Sequence, residues 1–232
     1  MKILSIIPAR ANSKGIKHKN IIDLCGKPLI QYSIEQSLML QSKNLISKTI
    51  VSTDSEKIKE ISKNLGAEVP FLRPKNISGD NSKSIDFILH AINFFEKKNI
   101  KFDSVLLLQP TSPLRTLKIL IDSINLFNSC KVANSLISCY KEEYVNDLVM
   151  YKKSFDGYVK PINKNHNKGI RRQEHGEIFV RNGAIYITKV KYLIKRNNII
   201  CDNPLFVEMK KSQSLNIDTP EDLKIVKNFL CK

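Results

Sequence analysis

Ile3-Leu4-Ser5-Ile6-Ile7-Pro8, followed at once by Ala9-Arg10-Ala11-Asn12-Ser13-Lys14-Gly15-Ile16-Lys17-His18-Lys19-Asn20, is the stretch that decides how this chain folds. Residues 2–8 form an apolar run bounded by proline and far shorter than a membrane span, so they read as a buried strand. A strand apolar on both faces belongs in a parallel sheet covered by helices on either side. The polar, cationic segment behind it then sits at the carboxyl edge of that sheet, where successive loops converge on ligands.

The remainder of the chain repeats this alternation. Pro28 suits a first helical turn, and Leu29, Ile30, Ile34 and Leu38 recur near helical spacing. A strand is expected at 49–53. Ser55 or Asp54 can cap a helix carrying Ile58, Ile61 and Leu65, with Gly66 as its left-handed stop. Ile85, Ile88, Leu89, Ile92 and Phe95 make another helical stripe, 104–108 another strand, and Thr116 the start of a helix with Ile119, Leu120 and Ile124. From about residue 132 the alternation loosens into short strands expected at 136–139, 148–151 and 184–188, read as a smaller lobe. Thr219-Pro220-Glu221-Asp222 opens a final helix with an N-cap, a first-turn proline and two acids near the positive helix end.

Composition narrows the class. The 232 residues, 42% of them hydrophobic, suffice for one full-sized core, so one domain over 1–232 is expected. With neither a signal peptide nor a spanning segment in view, the expected location is cytoplasmic. Five cysteines without a Cys-x-x-Cys pair, and four histidines without metal-ligand spacing, argue against a disulfide framework and a zinc site; reduced thiols are expected. The formal charge of +16 favours anionic partners without choosing among them. Neither a zinc-finger spacing nor an aromatic RNA-binding signature accompanies it, so no nucleic-acid partner is expected.

The loop at 8–20 has the chemistry of a phosphate site. Arg10, Lys14 and Lys19 supply positive charge, and Gly15 allows backbone amides to come close to phosphate oxygens. It is not a P-loop, since the glycine spacing and the Gly-Lys-Ser/Thr ending are missing, and no Gly-x-Gly-x-x-Gly fingerprint is present. A solvated basic loop is the competing reading from local sequence alone.

Four ordered segments lift the loop out of that ambiguity. Ile7-Pro8-Ala9-Arg10 with Asn12-Ser13-Lys14-Gly15 and Lys19-Asn20, then Ser52-Thr53-Asp54, then Leu108-Gln109-Pro110-Thr111-Ser112-Pro113-Leu114-Arg115, then Asn182-Gly183-Ala184-Ile185-Tyr186, resemble in order the acylneuraminate cytidylyltransferase family. The resemblance implies a Rossmann-like α/β fold, a mostly parallel sheet with helices on both faces, and a small dimerisation lobe formed by an insertion at about 140–180. It implies transfer of CMP from CTP to an acidic nine-carbon sugar, with Mg2+ as cofactor and a homodimer as the working state.

Carried over position by position, the resemblance assigns Arg10, Asn12, Ser13, Lys14, Lys19 and Asn20 to the nucleotide, with Arg73 and Ser84 beside them. Gln109, Asn182 and Tyr186 fall on the sugar side. Arg172, next to Arg171, matches an arginine supplied across the dimer interface, where a guanidinium can grip a sugar carboxylate through paired hydrogen bonds. Asp218 matches a late metal-binding strand end at which two carboxylates separated by one residue are common. Here Asn216 stands in the first position, on the same face of an extended segment, and offers a neutral oxygen; Asp218 as a helix cap is the alternative. The segment at 140–147 matches no sialate signature, so legionaminate stands beside N-acetylneuraminate as substrate. A Kdo cytidylyltransferase and a CTP-binding sensor without turnover are the other readings, and no general base is identifiable.

Overall fold

The computed structural model describes residues 1–155, 157–169 and 176–231. Ten strands and six helices follow in the order β1 (Ile3–Pro8), β2 (Asp23–Leu24), β3 (Lys27–Pro28), α1 (Leu29–Ser42), β4 (Lys48–Ser52), α2 (Glu56–Asn64), α3 (Ser84–Glu96), β5 (Ser104–Leu108), α4 (Leu117–Ser129), β6 (Ser135–Glu142), β7 (Tyr151–Lys153), β8 (Val159–Pro161), β9 (Ile178–Lys189), α5 (Val190–Arg196), β10 (Leu205–Glu208) and α6 (Pro220–Leu230) among the described residues.

Six strands form the central sheet in the order β10-β6-β9-β5-β1-β4. β1 pairs in parallel with β4 on one side and β5 on the other, whereas β9 runs antiparallel between β5 and β6. Alternate residues of β1 divide between two cores: Ile3 and Ile7 pack with α1 and α4, and Leu4 and Ile6 pack with α3. Ser5 adds a polar seam, its hydroxyl accepting from Ser37 Oγ of α1, which in turn meets Thr49 Oγ1 of β4 at 2.9 Å. Buried hydroxyls paired in this way avoid the desolvation cost of an orphaned group. This is the expected α/β sheet, covered on both faces.

Two local features frame the site. β4 lies at the sheet edge, where the extended chain at 68–72 covers it through parallel bridges from Glu68 to Ile50 and from Leu72 to Thr53. Thr219 caps α6, accepting from Asp222 N while the Asp222 carboxylate accepts from Thr219 N. The capping box fixes the N-cap one residue beyond Asp218.

Three expectations need correction. The strands beyond residue 132 are not a separate lobe: β6, β9 and β10 complete the central sheet, and only the β7–β8 ribbon stands apart from it. Their alternation is loose because β6 and β9 slip register between Ile137 and Cys139, which breaks the period-two pattern. The strand expected at 148–151 begins instead at Tyr151, and the one at 184–188 is the second half of β9. Finally, Cys25 and Cys231 form a disulfide between the β2–β3 hairpin and the end of α6, across a separation of 206 residues, whereas Cys130, Cys139 and Cys201 are free thiols. No helix of the described residues is long and apolar enough to cross a membrane.

Candidate active site

The loop leaving β1 is anchored by its neighbours before it reaches the cleft. Ala9 N–H donates to the Ser52 carbonyl at 2.9 Å, continuing the β1–β4 ladder by one rung, and Ala11 N–H donates to Asp54 Oδ1 at 2.7 Å. Asn20 closes the loop on itself: it is buried, and its Nδ2 donates to the Arg10 carbonyl at 3.0 Å. Ile16 drops into the apolar cluster that holds Ile217, Leu24 and Val226. A hydrophobic staple and three hydrogen bonds thus hold a segment made almost wholly of polar residues.

Gly15 is required by the resulting contact. Its backbone lies so close to Asp218 that a Cβ would come within 2.0 Å of the Asp218 carbonyl oxygen, where a side chain has no room. The approach brings the side chains of Lys19 and Asp218 together, with Lys19 Nζ 2.7 Å from Asp218 Oδ1. Only 13% of the lysine side chain is exposed, against 68% of the aspartate's.

Across the gap, Arg73 projects from the chain that borders β4. Its backbone N–H donates to the Thr53 carbonyl, and its guanidinium donates to Ser52 Oγ and the Ser52 carbonyl while lying 4.5 Å over the Phe87 ring. Burial pushes the Arg73 pKa down to about 10, with nearby Arg10 adding to that shift and Asp54 opposing it. Ser84 opens α3 on the same wall. At the floor, β5 ends in Gln109-Pro110-Thr111, where the Gln109 carbonyl accepts from Arg115 Nη1 at 2.7 Å and from Ser33 Oγ at 3.4 Å.

These elements enclose a cleft of about 500 Å3 that brings together Arg10, Ser13, Lys14, Lys19, Asn20, Arg73, Ser84, Gln109 and Asp218. Four cations and two carboxylates, Asp80 and Asp218, line it. Its chemistry suits an anion of several charges: exposed ammonium and guanidinium groups on one wall, a helix start opposite, and an amide side chain at the floor.

Other sequence-assigned residues lie elsewhere. Asn12 is exposed and does not line the cleft. Asn182 is buried, with its Oδ1 accepting from Ser138 Oγ and Ala184 N and its Nδ2 donating to Ser214 Oγ at 2.8 Å. The structure therefore makes it a brace between β6, β9 and the 214 segment, not a wall of this cleft. Tyr186 packs in the α3 core, where burial raises its pKa. Asn216 is committed on both ends: its Oδ1 accepts from Ser112 Oγ, and its Nδ2 donates to the Asn182 carbonyl at 2.8 Å. Its oxygen is thus taken up in holding the turn after β5. Arg171 and Arg172 lie outside the described residues.

Two residues that local sequence reading passes over matter here. Asp80 appears in sequence as one member of a turn, Gly79-Asp80-Asn81, and only its reach across the cleft shows what it touches. Arg115 closes the motif at 108–115, and 3% of its surface is exposed. Its guanidinium donates to neutral acceptors, the carbonyls of Gln109 and Ala184, Ser33 Oγ and Gln36 Oε1, and burial pushes its pKa down to about 9. The residue ties α1, β9 and the end of β5 together directly beneath Gln109.

A sequence profile described as cytidylyltransferase matches residues 4–229. The chain is 32% identical to CMP-N,N'-diacetyllegionaminic acid synthase from Legionella pneumophila, over 99% of this chain and 97% of that protein. It is 33% identical to pseudaminic acid cytidylyltransferase from Campylobacter jejuni, over 98% and 95% respectively. Among solved structures, a CMP:2-keto-3-deoxy-manno-octonic acid synthetase complexed with CTP superposes with a TM-score of 0.73 over 100% of this chain and 99% of that one, at 16% identity, a likeness of fold.

Asn216→Asp tests the brace. The change replaces an N–H donor with a carboxylate facing the Asn182 carbonyl, so stability should fall by roughly 1–3 kcal/mol, read as a lower urea midpoint. A variant as stable as the parent would free Asn216 for another role.

Proposed function

Because this chain belongs to the cytidylyltransferase family, we propose that it transfers CMP from CTP to a nine-carbon acidic sugar and releases pyrophosphate. The observation that carries the reading is the gathering of Arg10, Lys14, Lys19 and Arg73 around one cleft that also exposes Gln109. Full-length similarity to enzymes named for legionaminic and pseudaminic acids supports the sugar class. The use of CTP supports a cytoplasmic location.

In the proposed reaction the sugar's anomeric hydroxyl oxygen attacks the α-phosphorus of CTP. The new O–P bond forms as the bond to the β-phosphate oxygen breaks, so pyrophosphate leaves with the electron pair and the hydroxyl proton passes to solvent or to pyrophosphate. Arg10, Lys14 and Lys19 on the basic loop neutralise the charge that grows on the leaving group. Arg73 is held rigid by Ser52 and Phe87, so it meets the nucleotide with little ordering cost. Ser13, Asn20 and Ser84 complete the nucleotide side, Asn20 by shaping the loop. Gln109, fixed from below by Arg115, is directed to the sugar.

Mg2+ fits this site through Asp218, whose accessible carboxylate on the cleft wall is the kind of single acidic ligand that magnesium uses beside phosphate oxygens and water. When bound, it would supply Lewis-acid polarisation of the phosphate. Lys19, 2.7 Å from the same carboxylate and lining the same cleft, is placed to meet the phosphates.

A homodimer is supported by the β7–β8 ribbon and the chain beside it, where Val149, Phe155 and Val159 are exposed apolar side chains. Arg172 follows that ribbon in the chain and is proposed to reach the partner's sugar.

Three measurements test these assignments. Pyrophosphate release should require CTP, Mg2+ and one member of a panel of legionaminate, pseudaminate and N-acetylneuraminate, with Kdo as the eight-carbon control, and Lys14→Met should lower kcat/KM for CTP at least about tenfold. Binding of CTP without turnover across the panel would favour a sensor. Asp218→Asn should lose activity that raised magnesium restores only in part, whereas unchanged magnesium dependence would leave Asp218 as a flank of the helix cap. Mixing Arg172→Ala subunits with Lys14→Met subunits should recover activity that neither shows alone, because one site of each mixed dimer then carries neither defect. An arginine acting within its own subunit gives no recovery.

A further inference from the structure

Asp80 stands on the wall facing the basic loop, in a turn closed by Ser82 N–H donating to the Gly79 carbonyl at 3.2 Å. Its carboxylate is divided between the two most accessible cations of the cleft. Arg10 Nη1 lies 2.7 Å from Asp80 Oδ1, and Lys14 Nζ lies 3.5 Å from Oδ2. The chain has thus placed an anion of its own on the groups that the reaction needs for the leaving pyrophosphate. An N–H aimed at a carboxylate oxygen is not available to a phosphate oxygen, so a polyphosphate that uses these donors takes them from Asp80, and one that uses their other N–H groups meets the Asp80 charge beside them.

The exposure of the three side chains sets how firmly they are held. Those of Arg10, Lys14 and Asp80 are 30%, 75% and 42% exposed, which places both ion pairs in the weak, solvent-screened class. Pairs of that strength exchange readily with a multiply charged ligand. They are still strong enough to bias its departure, because the two cations have a waiting partner once a phosphate oxygen lets go.

We propose that Asp80 is an internal counter-anion of the polyphosphate site: it yields Arg10 and Lys14 to CTP and takes them back as pyrophosphate leaves. This rests on reading the cleft as a nucleotide site. The role is one of competition. Loss of the Asp80 charge makes the site bind polyphosphate more tightly and clear it more slowly.

Asp80→Asn keeps the shape of the side chain and removes the charge, and Asp80→Ala removes both. The turn is at the surface, so both variants should melt at the parent's temperature. Calorimetric titration with pyrophosphate in the absence of metal, at low and moderate salt, gives a readout independent of turnover. Both variants should bind pyrophosphate roughly 3- to 10-fold more tightly, with the gap shrinking as salt rises. In steady-state assays, product inhibition by pyrophosphate should strengthen by a similar factor. Unchanged or weaker pyrophosphate binding in both variants overturns the proposal. If the parent protein binds neither CTP nor pyrophosphate, the cytidylyltransferase reading falls and this inference falls with it. A parent that binds both, beside variants that bind no more tightly, removes only the counter-anion.

Discussion

Everything at the cleft follows from the confinement of β1 between two parallel neighbours. With β4 on one side and β5 on the other, every rung from Leu4 to Ile6 is paired on both edges, and the chain that leaves this strand can only rise above the sheet. The connection through α1 goes to one side, whereas the longer route through α2 and α3 crosses to the other. The end of β1 therefore lies where the strand order changes direction, the place in an open α/β sheet where loops part and leave a crevice. The basic loop and the Gln109 turn border that crevice because topology leaves them nowhere else to go.

Charge is handled differently at the rim and below it. At the rim, Arg10, Lys14 and Lys19 face carboxylates that remain partly solvated, so the contacts can be exchanged at small cost. Below it, Arg73 and Arg115 are buried and rest on carbonyl and hydroxyl oxygens and on the Phe87 ring. A buried guanidinium with neutral acceptors retains its full charge in a poorly screened setting, where its field reaches further than that of a surface lysine. The floor of the cleft is thus permanently cationic and the rim adjustably so. A net charge of +16 spread over the chain only adds a general attraction for anions to this local arrangement.

The elements around β1 were legible in sequence because each buries a continuous apolar face: residues 104–108 are all buried, and Thr116 and Ser55 cap their helices as their side-chain chemistry requires. The residues of the basic loop were legible through charge, glycine and their ordered resemblance to a family. The second half was harder to read. β9 is a twelve-residue strand that changes register against β6, so its pattern is that of two short pieces. Asn182 and Asn216 show why a motif position does not settle a role: both amides could face a ligand, and their hydrogen bonds turn them to Ser138, Ser214 and Ser112 instead. The pairing of Cys25 with Cys231 could not be foreseen from spacing, since it depends on where α6 docks.

The extended chain at 68–72 has a bearing on how these molecules behave at high concentration. By bridging to Ile50 and Thr53 it occupies the outer edge of β4, where a strand from another molecule would otherwise add on. The opposite edge is β10, four residues long, with Phe206 and Glu208 exposed in alternation. So short an edge, interrupted by charge, is a poor template for a foreign strand. A sheet that is apolar on both faces is in this way kept from growing sideways, and crowded molecules meet through side chains rather than by extending one another's backbone ladders.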